Sequence, residues 1–270
     1  TSPLKLDQRQ GENLVEFARH RLPIEMASMP ATCSTSPATL AGTIAQVNAE
    51  HLCMILVAQL SNPGTPVSLN ACTGCMDPRT GTNVYGAVER VLMNAAVVQL
   101  WRSYYGLETY ASAALTDSKV LDEQTGYERM MNILLPALVG VDMITTLGYL
   151  ESYLTVSPEQ VVIDNEIAAT ILRMLAGIEV DHETLAVDAI GKVGPGGHFL
   201  AEKHTLRHVG ELFIPKLANR TTRADWRRAG EKDIARMARD EAKRLVQTHQ
   251  PEPLGMHIRQ ELHRLESSDR

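Results

Sequence analysis

The sequence predicts an α/β fold of TIM-barrel type, present as four strand-helix units that amount to half a barrel and are followed by a helical extension. Three observations carry this. Short apolar runs alternate with long amphipathic segments four times between residues 24 and 176. Strands joined by helix-length connections must pair in parallel, because only such a connection returns the chain to the same end of the sheet. No Gly-x-Gly-x-x-Gly follows the first run, as the first turn of an open, dinucleotide-binding sheet should show. The expected division is 1–178, the carboxyl-terminal half of an eight-stranded barrel, and 179–270, a helical carboxyl-terminal extension.

The elements follow in order. Gln8 to His20 reads as a helix, and Ile24 to Met29, closed by Pro30, as the first strand. In Pro37 to Leu60 the residues Leu40, Ile44, Val47, Leu52, Ile55 and Leu56 recur at helical spacing. After the turn Asn62-Pro63-Gly64, Pro66 to Ala71 is the second strand and Tyr85 to Tyr105 the helix behind it. Leu107 to Leu115 is the third strand and Glu123 to Leu138 the third helix; Val141 to Leu147 is the fourth strand. Ser157-Pro158-Glu159 offers a cap and a proline at the first helical position, opening a helix through Ala176. Beyond Gly177 five segments read as helices and none as a strand. The charges of 231–244 alternate in sign as on a solvated helix face.

Composition narrows the function. The chain has 270 residues, 44% hydrophobic, enough for a large core. Twenty-six basic against 32 acidic residues leave a net charge of -6, which supplies no general field for nucleic acid or acidic membranes. No apolar run approaches the roughly 20 residues of a membrane span, and Thr1-Ser2-Pro3-Leu4-Lys5 has no signal core, so a cytoplasmic location is the default expectation. Cys33, Cys53, Cys72 and Cys75 all fall in the first third, which suits reduced thiols better than a disulfide framework.

In a barrel the chemistry lies in the loops after the strands, here 28–36, 70–77, 113–122 and 145–153. The third loop, Thr116-Asp117-Ser118-Lys119, continues through Asp122, Gln124, Gly126, Tyr127 and Glu128. Asp117 could orient or deprotonate a ligand and Lys119 could hold an anion. Equally, Asp117 and Ser118 could make turn hydrogen bonds while Asp122 caps the next helix. Spacing does not separate these readings. His204 and His208 have the spacing of a metal pair, but the residue after His204 is Thr205 and not the Glu of a zinc protease, so a structural or substrate-contacting pair is preferred. Cys72-x-x-Cys75 lacks a second pair, and no metal is assigned.

Several segments, in order, resemble the trimethylamine:corrinoid methyltransferase family. They are Leu40-Ala41-Gly42 to Asn48-Ala49-Glu50, the loop of Thr116 to Lys119 with Asp122-x-Gln124-x-Gly126-Tyr127-Glu128, and Ser157-x-Glu159-x-x-Val162-x-Asp164-x-Glu166. VGPGGHFL around Pro195-Gly196-Gly197, His204-Thr205 and Pro215-x-Leu217-x-x-Arg220 complete the set. The likeness spans about residues 20 to 230, and such order is more specific than any single motif. It implies a barrel that moves a methyl group from a methylated amine to the Co(I) of a corrinoid (cobalamin) carried by a partner protein and not bound permanently. Some members carry pyrrolysine. This sequence contains only standard residues and resembles the members that lack it, among them enzymes for quaternary amines such as glycine betaine.

A quaternary ammonium has no N-H, so aromatic faces and carboxylates must hold it. Aromatic residues are only 4% of the chain; Tyr110, Tyr149, Tyr153 and Tyr127 are the candidates, each with core packing as the plainer alternative. For a betaine carboxylate, Lys119, His204, His208 and Asn70 are available. The expected catalytic residues are therefore Asp117 and Lys119, with Tyr110, Tyr149, Asn70, His204 and His208 on the substrate. The alternatives are a lyase or hydrolase using Asp117 and Lys119, and a noncatalytic binding module. Four strands cannot close an eight-stranded barrel, so either more sequence or a second copy of the chain is expected to complete it.

Overall fold

Four strands run parallel and side by side in the order in which they occur along the chain. In the computed structural model, which describes residues 2–268, the elements are these. Helix α1 (Gln8–Arg19) is capped by the Asp7 side chain, which accepts from Arg9 N and Gln10 N. Then come β1 (Ile24–Ser28), β2 (Ala31–Thr32), α2 (Leu40–Ser61), β3 (Val67–Ala71), β4 (Gly74–Met76), β5 (Asn83–Val84) and α3 (Val88–Gln99), which runs on as a π-helical segment, Leu100–Tyr105. Strand β6 (Glu108–Ser112), α4 (Glu123–Leu138), β7 (Met143–Thr145), β8 (Tyr149–Leu150), β9 (Thr155–Val156) and α5 (Pro158–Leu175) follow. Every described element beyond is helical: α6 (His182–Leu185), α7 (Val187–Val193), α8 (Lys203–His208), a 3-10 turn (Val209–Glu211), α9 (Arg223–Arg228), α10 (Ile234–Thr248) and α11 (Met256–Ser268).

The principal sheet has the order β1-β3-β6-β7, all parallel. Because side chains alternate along a strand, its two faces differ in kind. Met26, Leu69, Ala71, Ala111 and Ile144 face the helices, where they pack with Val47 and Ala58 of α2, Val97 and Val98 of α3, and Trp101 of the π segment. Burying each larger side chain there contributes roughly 1.5–3 kcal/mol. Helices α1 to α5 lie against one another in chain order, and α10 packs on α5 through its buried Ala238 and Ala242. The opposite face carries Glu25, Ala27, Ser68, Asn70, Glu108, Tyr110, Ser112, Met143 and Thr145. Glu25, Ala27, Glu108 and Met143 are exposed there.

The coarse fold, α/β with a parallel sheet and helices, agrees with the sequence expectation, and the strand and helix order is as read. Four details differ. The helix expected over 85–105 is an α-helix only to Gln99 and then widens into the π segment, which buries Trp101. The third strand ends at Ser112, although Ala113, Ala114 and Leu115 remain buried. Strands β2, β4, β5, β8 and β9 escaped the sequence because two or three residues carry no periodicity. Finally, the 22-residue α2 is by length and composition long and apolar enough to cross a membrane, contrary to the reading above. In this fold it packs on β1, α1 and α3 and buries His51, whose ring nitrogens lie 2.8 Å from Val47 O and 3.1 Å from Met26 O.

Candidate functional site at the carboxyl ends of the strands

On the uncovered face a hydrogen-bonded chain crosses all four strands. Asn70 Nδ2 donates to Glu25 Oε1 at 2.5 Å, and Asn70 Oδ1 accepts from Ser112 N at 3.1 Å and Ser112 Oγ at 3.2 Å. Ser112 Oγ in turn lies 3.4 Å from Thr145 Oγ1. Parallel register makes this possible by setting Asn70 beside Tyr110, Tyr110 beside Met143 and Ser112 beside Thr145. Since Ser112 occupies the amide oxygen, the Asn70 NH2 group must point at Glu25. The result is an exposed, oriented carboxylate on β1 held by the buried Asn70 of β3; the half-buried Tyr110 lies on the same face of the sheet, two strands away on β6 and beside Asn70. A carboxylate and an aromatic ring on one face suit a cation.

The loops above this face are braced by two carboxylates. Asp117 Oδ1 accepts from Tyr85 N at 2.8 Å and Ser152 Oγ at 2.5 Å, and its Oδ2 from Gly86 N at 2.7 Å. Glu128, buried in α4, accepts from Thr116 Oγ1 at 2.6 Å and Asp117 N at 2.8 Å through Oε2, and from Gln124 Nε2 at 2.8 Å through Oε1. The loop carbonyls are used too: Ser118 O accepts from Glu151 N at 2.8 Å and Thr116 O from Ser152 N at 3.0 Å. These bonds hold Glu151, Ser152 and Tyr153 at φ of 51°, 52° and 78°, three successive left-handed residues, a conformation that non-glycine residues take at a cost.

What that strained turn positions is an aromatic cluster. The Tyr153 ring meets Tyr85 edge-on at 5.1 Å and Tyr149 at 5.4 Å, and its hydroxyl lies 3.9 Å from Cys72 Sγ. Burial, with Cys72 beside it, pushes the Tyr153 phenol well above its ordinary pKa, so it stays protonated. Beneath the cluster Arg90 is fully buried. Its Nε donates to Thr73 O at 2.8 Å, Nη1 to Asn132 Oδ1 at 2.9 Å and Nη2 to Ser112 O, and its guanidinium carbon stands 5.2 Å from the Tyr85 ring centroid. Deeper still, Arg129 Nη1 pairs with Asp164 Oδ2 at 2.6 Å, both side chains being wholly buried, and Gly148 N and Gln160 Nε2 also donate to Asp164, each at 2.7 Å. Burial raises the Asp164 pKa, against the pull of Arg129 and of these two bonds.

The residues singled out by sequence fall in three places. Asn70, Tyr110 and Tyr149 lie on or above the uncovered face. Asp117 is at the same end, with its oxygens engaged by two backbone amides and a hydroxyl, the turn-bracing arrangement that the sequence offered beside the catalytic one. Lys119 is exposed and donates to the carbonyl of Asp117 at 2.7 Å, again within its own loop. His204 and His208 lie elsewhere: their hydrogen bonds and ring contacts are to Glu183, Glu211 and each other, on the helices beyond Gly177. Sequence reasoning missed Glu25, Ser112, Thr145, Tyr85 and Arg90. For Glu25 there was a signal, a charged residue inside an apolar strand run. All four cysteines are free thiols, including Cys72 and Cys75.

Comparison with known proteins places this chain in a family. Residues 1–266 match the model of the trimethylamine methyltransferase (MTTB) family. The trimethylamine methyltransferase MttB of Methanosarcina barkeri (strain Fusaro / DSM 804) is 40% identical over 258 residues, 96% of this chain and 52% of that protein. MttB of Desulfitobacterium hafniense (strain DSM 10664 / DCB-2) is 38% identical over 254 residues, 94% of this chain and 51% of that one. A glycine betaine methyltransferase of Desulfitobacterium hafniense (strain Y51) is 39% identical over 227 residues, 83% of this chain and 47% of its own length. The chain thus spans about half the length of the curated relatives it matches. With a family model covering nearly its whole length and these relatives along it, the chain belongs to the trimethylamine methyltransferase family.

Proposed function

We propose that this chain supplies one wall of a site that takes a methyl group from a quaternary methylated amine, such as glycine betaine, and passes it to the cobalt of a corrinoid carried by a separate protein. The sheet is read as half of an eight-stranded barrel. Strands adjacent in chain order, with their helices side by side behind them, are what a barrel requires, and the polar, uncovered face is the one that turns inward when such a sheet closes. Closure takes four further strands, from more polypeptide or from a second chain.

The observation that carries the reading is the Glu25-Asn70-Ser112-Thr145 chain beside Tyr110. A quaternary ammonium offers no hydrogen to an acceptor, so recognition rests on charge and ring faces; Glu25 supplies the first and Tyr110 the second. Asn70 fixes the carboxylate, and the tyrosines at the loop end narrow the approach and exclude water. The departing amine is neutral, so these residues need move no proton. The corrinoid is a second substrate, which supplies the nucleophile when its protein docks at the loop end.

The test is methyl transfer to reduced cobalamin by the full-length protein, with quaternary and tertiary amines compared. Cobalt methylation with a quaternary amine is expected, and Glu25→Gln should raise KM for it about tenfold, the loss of one charge-assisted contact. No methylation with any quaternary amine, or an unchanged KM in the variant, overturns the reading.

A further inference from the structure

The helical extension holds a cluster that the methyl-transfer reading does not use. Glu183 on α6 and His204 and His208 on α8 bring their ligand atoms within 4.8 Å of one another. The two histidines are one helical turn apart, with ring centroids 4.3 Å from each other, so both present to α6. His208 Nε2 is 3.3 Å from Glu183 Oε1. That is about the 3.3 Å edge of a tetrahedron with metal-ligand bonds of roughly 2.0–2.1 Å. The far nitrogen of the same ring, Nδ1, is 2.8 Å from Glu211 Oε1. A carboxylate on Nδ1 is the arrangement by which metal-ligating histidines are oriented; here Nε2 faces a second carboxylate, Glu183, so an ion binding between them takes the place of the Nε2 proton. His204 Nε2 donates to the Glu183 carbonyl oxygen at 3.0 Å, which anchors that ring beside the same residue and leaves Nδ1 as its ligating nitrogen.

We propose that Glu183, His204 and His208 form a site for a divalent transition ion of the zinc class. Glu211 orients His208, and a fourth coordination position stays open to water. The ion cross-links α6 to α8, two short helices otherwise joined through Glu183 by His204, Arg207 and His208. Arg207 competes with it, since its Nη2 bonds to Glu183 Oε1 at 2.5 Å.

The experiment is calorimetric titration of the metal-stripped protein with Zn2+, and with Co2+ as the spectroscopic probe. One equivalent should bind, with visible Co2+ bands and without the near-ultraviolet charge-transfer band of a thiolate. His204→Ala and His208→Ala should each weaken binding by more than about tenfold and Glu211→Gln by about tenfold. Arg207→Gln should strengthen it about two- to fivefold, the size of a lost surface ion pair. All these side chains are at least partly exposed, and circular dichroism checks that each variant is folded. The proposal is overturned by failure of the parent protein to bind Zn2+, by binding unchanged in both histidine variants, or by a thiolate band, which would put the ion on cysteine.

Discussion

Gly86 and Glu128 stand so close that a Cβ on Gly86 would come within 2.3 Å of the Glu128 carboxyl carbon. The glycine thereby lets a buried helical carboxylate reach Thr116 and Asp117. Gly86→Ala should cost about 1–3 kcal/mol by urea unfolding, as overpacking does. Gly126→Ala, where nothing lies within 4 Å of the added carbon, should be neutral or stabilising. Equal effects of the two would refute the close-packing account.

Asp117→Asn turns one acceptor into a donor facing backbone N-H groups of Tyr85 and Gly86 or the Ser152 hydroxyl. A loss of about 1–3 kcal/mol in stability is expected, with the pH profile of the proposed methyl transfer unchanged, because the residue braces a loop. A displaced pH profile with unaltered stability would restore Asp117 as an acid-base group.

Asp164→Asn leaves Arg129 buried without its anion and should destabilise the protein by about 3–5 kcal/mol. The double change Arg129→Met with Asp164→Leu should recover part of that loss, the remainder being the cost of leaving Gly148 N and Gln160 Nε2 without their acceptor. Thermal or urea unfolding of the three proteins decides it; a double variant no better than the single one would argue that the pair is needed for packing geometry as well as charge balance.

Glu50 gives a pH prediction. Burial works to raise its pKa, but hydrogen bonds from Ser28 Oγ, Leu4 N, Ser2 Oγ and Gln46 Nε2 outweigh it and leave the carboxyl below its ordinary value. A depressed folded-state pKa means the stabilisation is fully present above the unfolded value of about 4.3 and is lost as pH falls through the folded one. The stability advantage of the parent over Glu50→Gln should therefore hold near neutrality and shrink below about pH 4. Parallel stability curves down to pH 2 would show that Glu50 is not linked to folding.

Much of the frame was legible because periodicity is a local property. The run Leu40 to Leu56 announced α2, Asp122 and Ser157 announced the helix starts they cap, and the apolar runs at 24, 66, 107 and 141 announced the four strands. The site was half legible. Asn70 and Tyr110 were chosen as polar and aromatic residues at strand positions, and register does set them side by side. For Asp117 the sequence left two readings open, since its partners Tyr85, Gly86 and Ser152 lie more than thirty residues away on either side. For His204 and His208 the helical spacing was visible, whereas Glu183 sits on another helix, more than twenty residues upstream.

By itself the sequence determined the order and type of the major elements and the likeness to a methyltransferase family, because both are written in residue types at short spacing. Only the tertiary structure decided what those residues do. Parallel pairing brought Glu25, Asn70, Ser112 and Thr145 from four strands into one hydrogen-bonded row, and the strained turn at Glu151 to Tyr153 took up the carboxylate of Asp117. Hydrogen bonds act over about 3 Å in space whatever the distance along the chain, so the role of a polar residue is fixed by what the fold sets beside it.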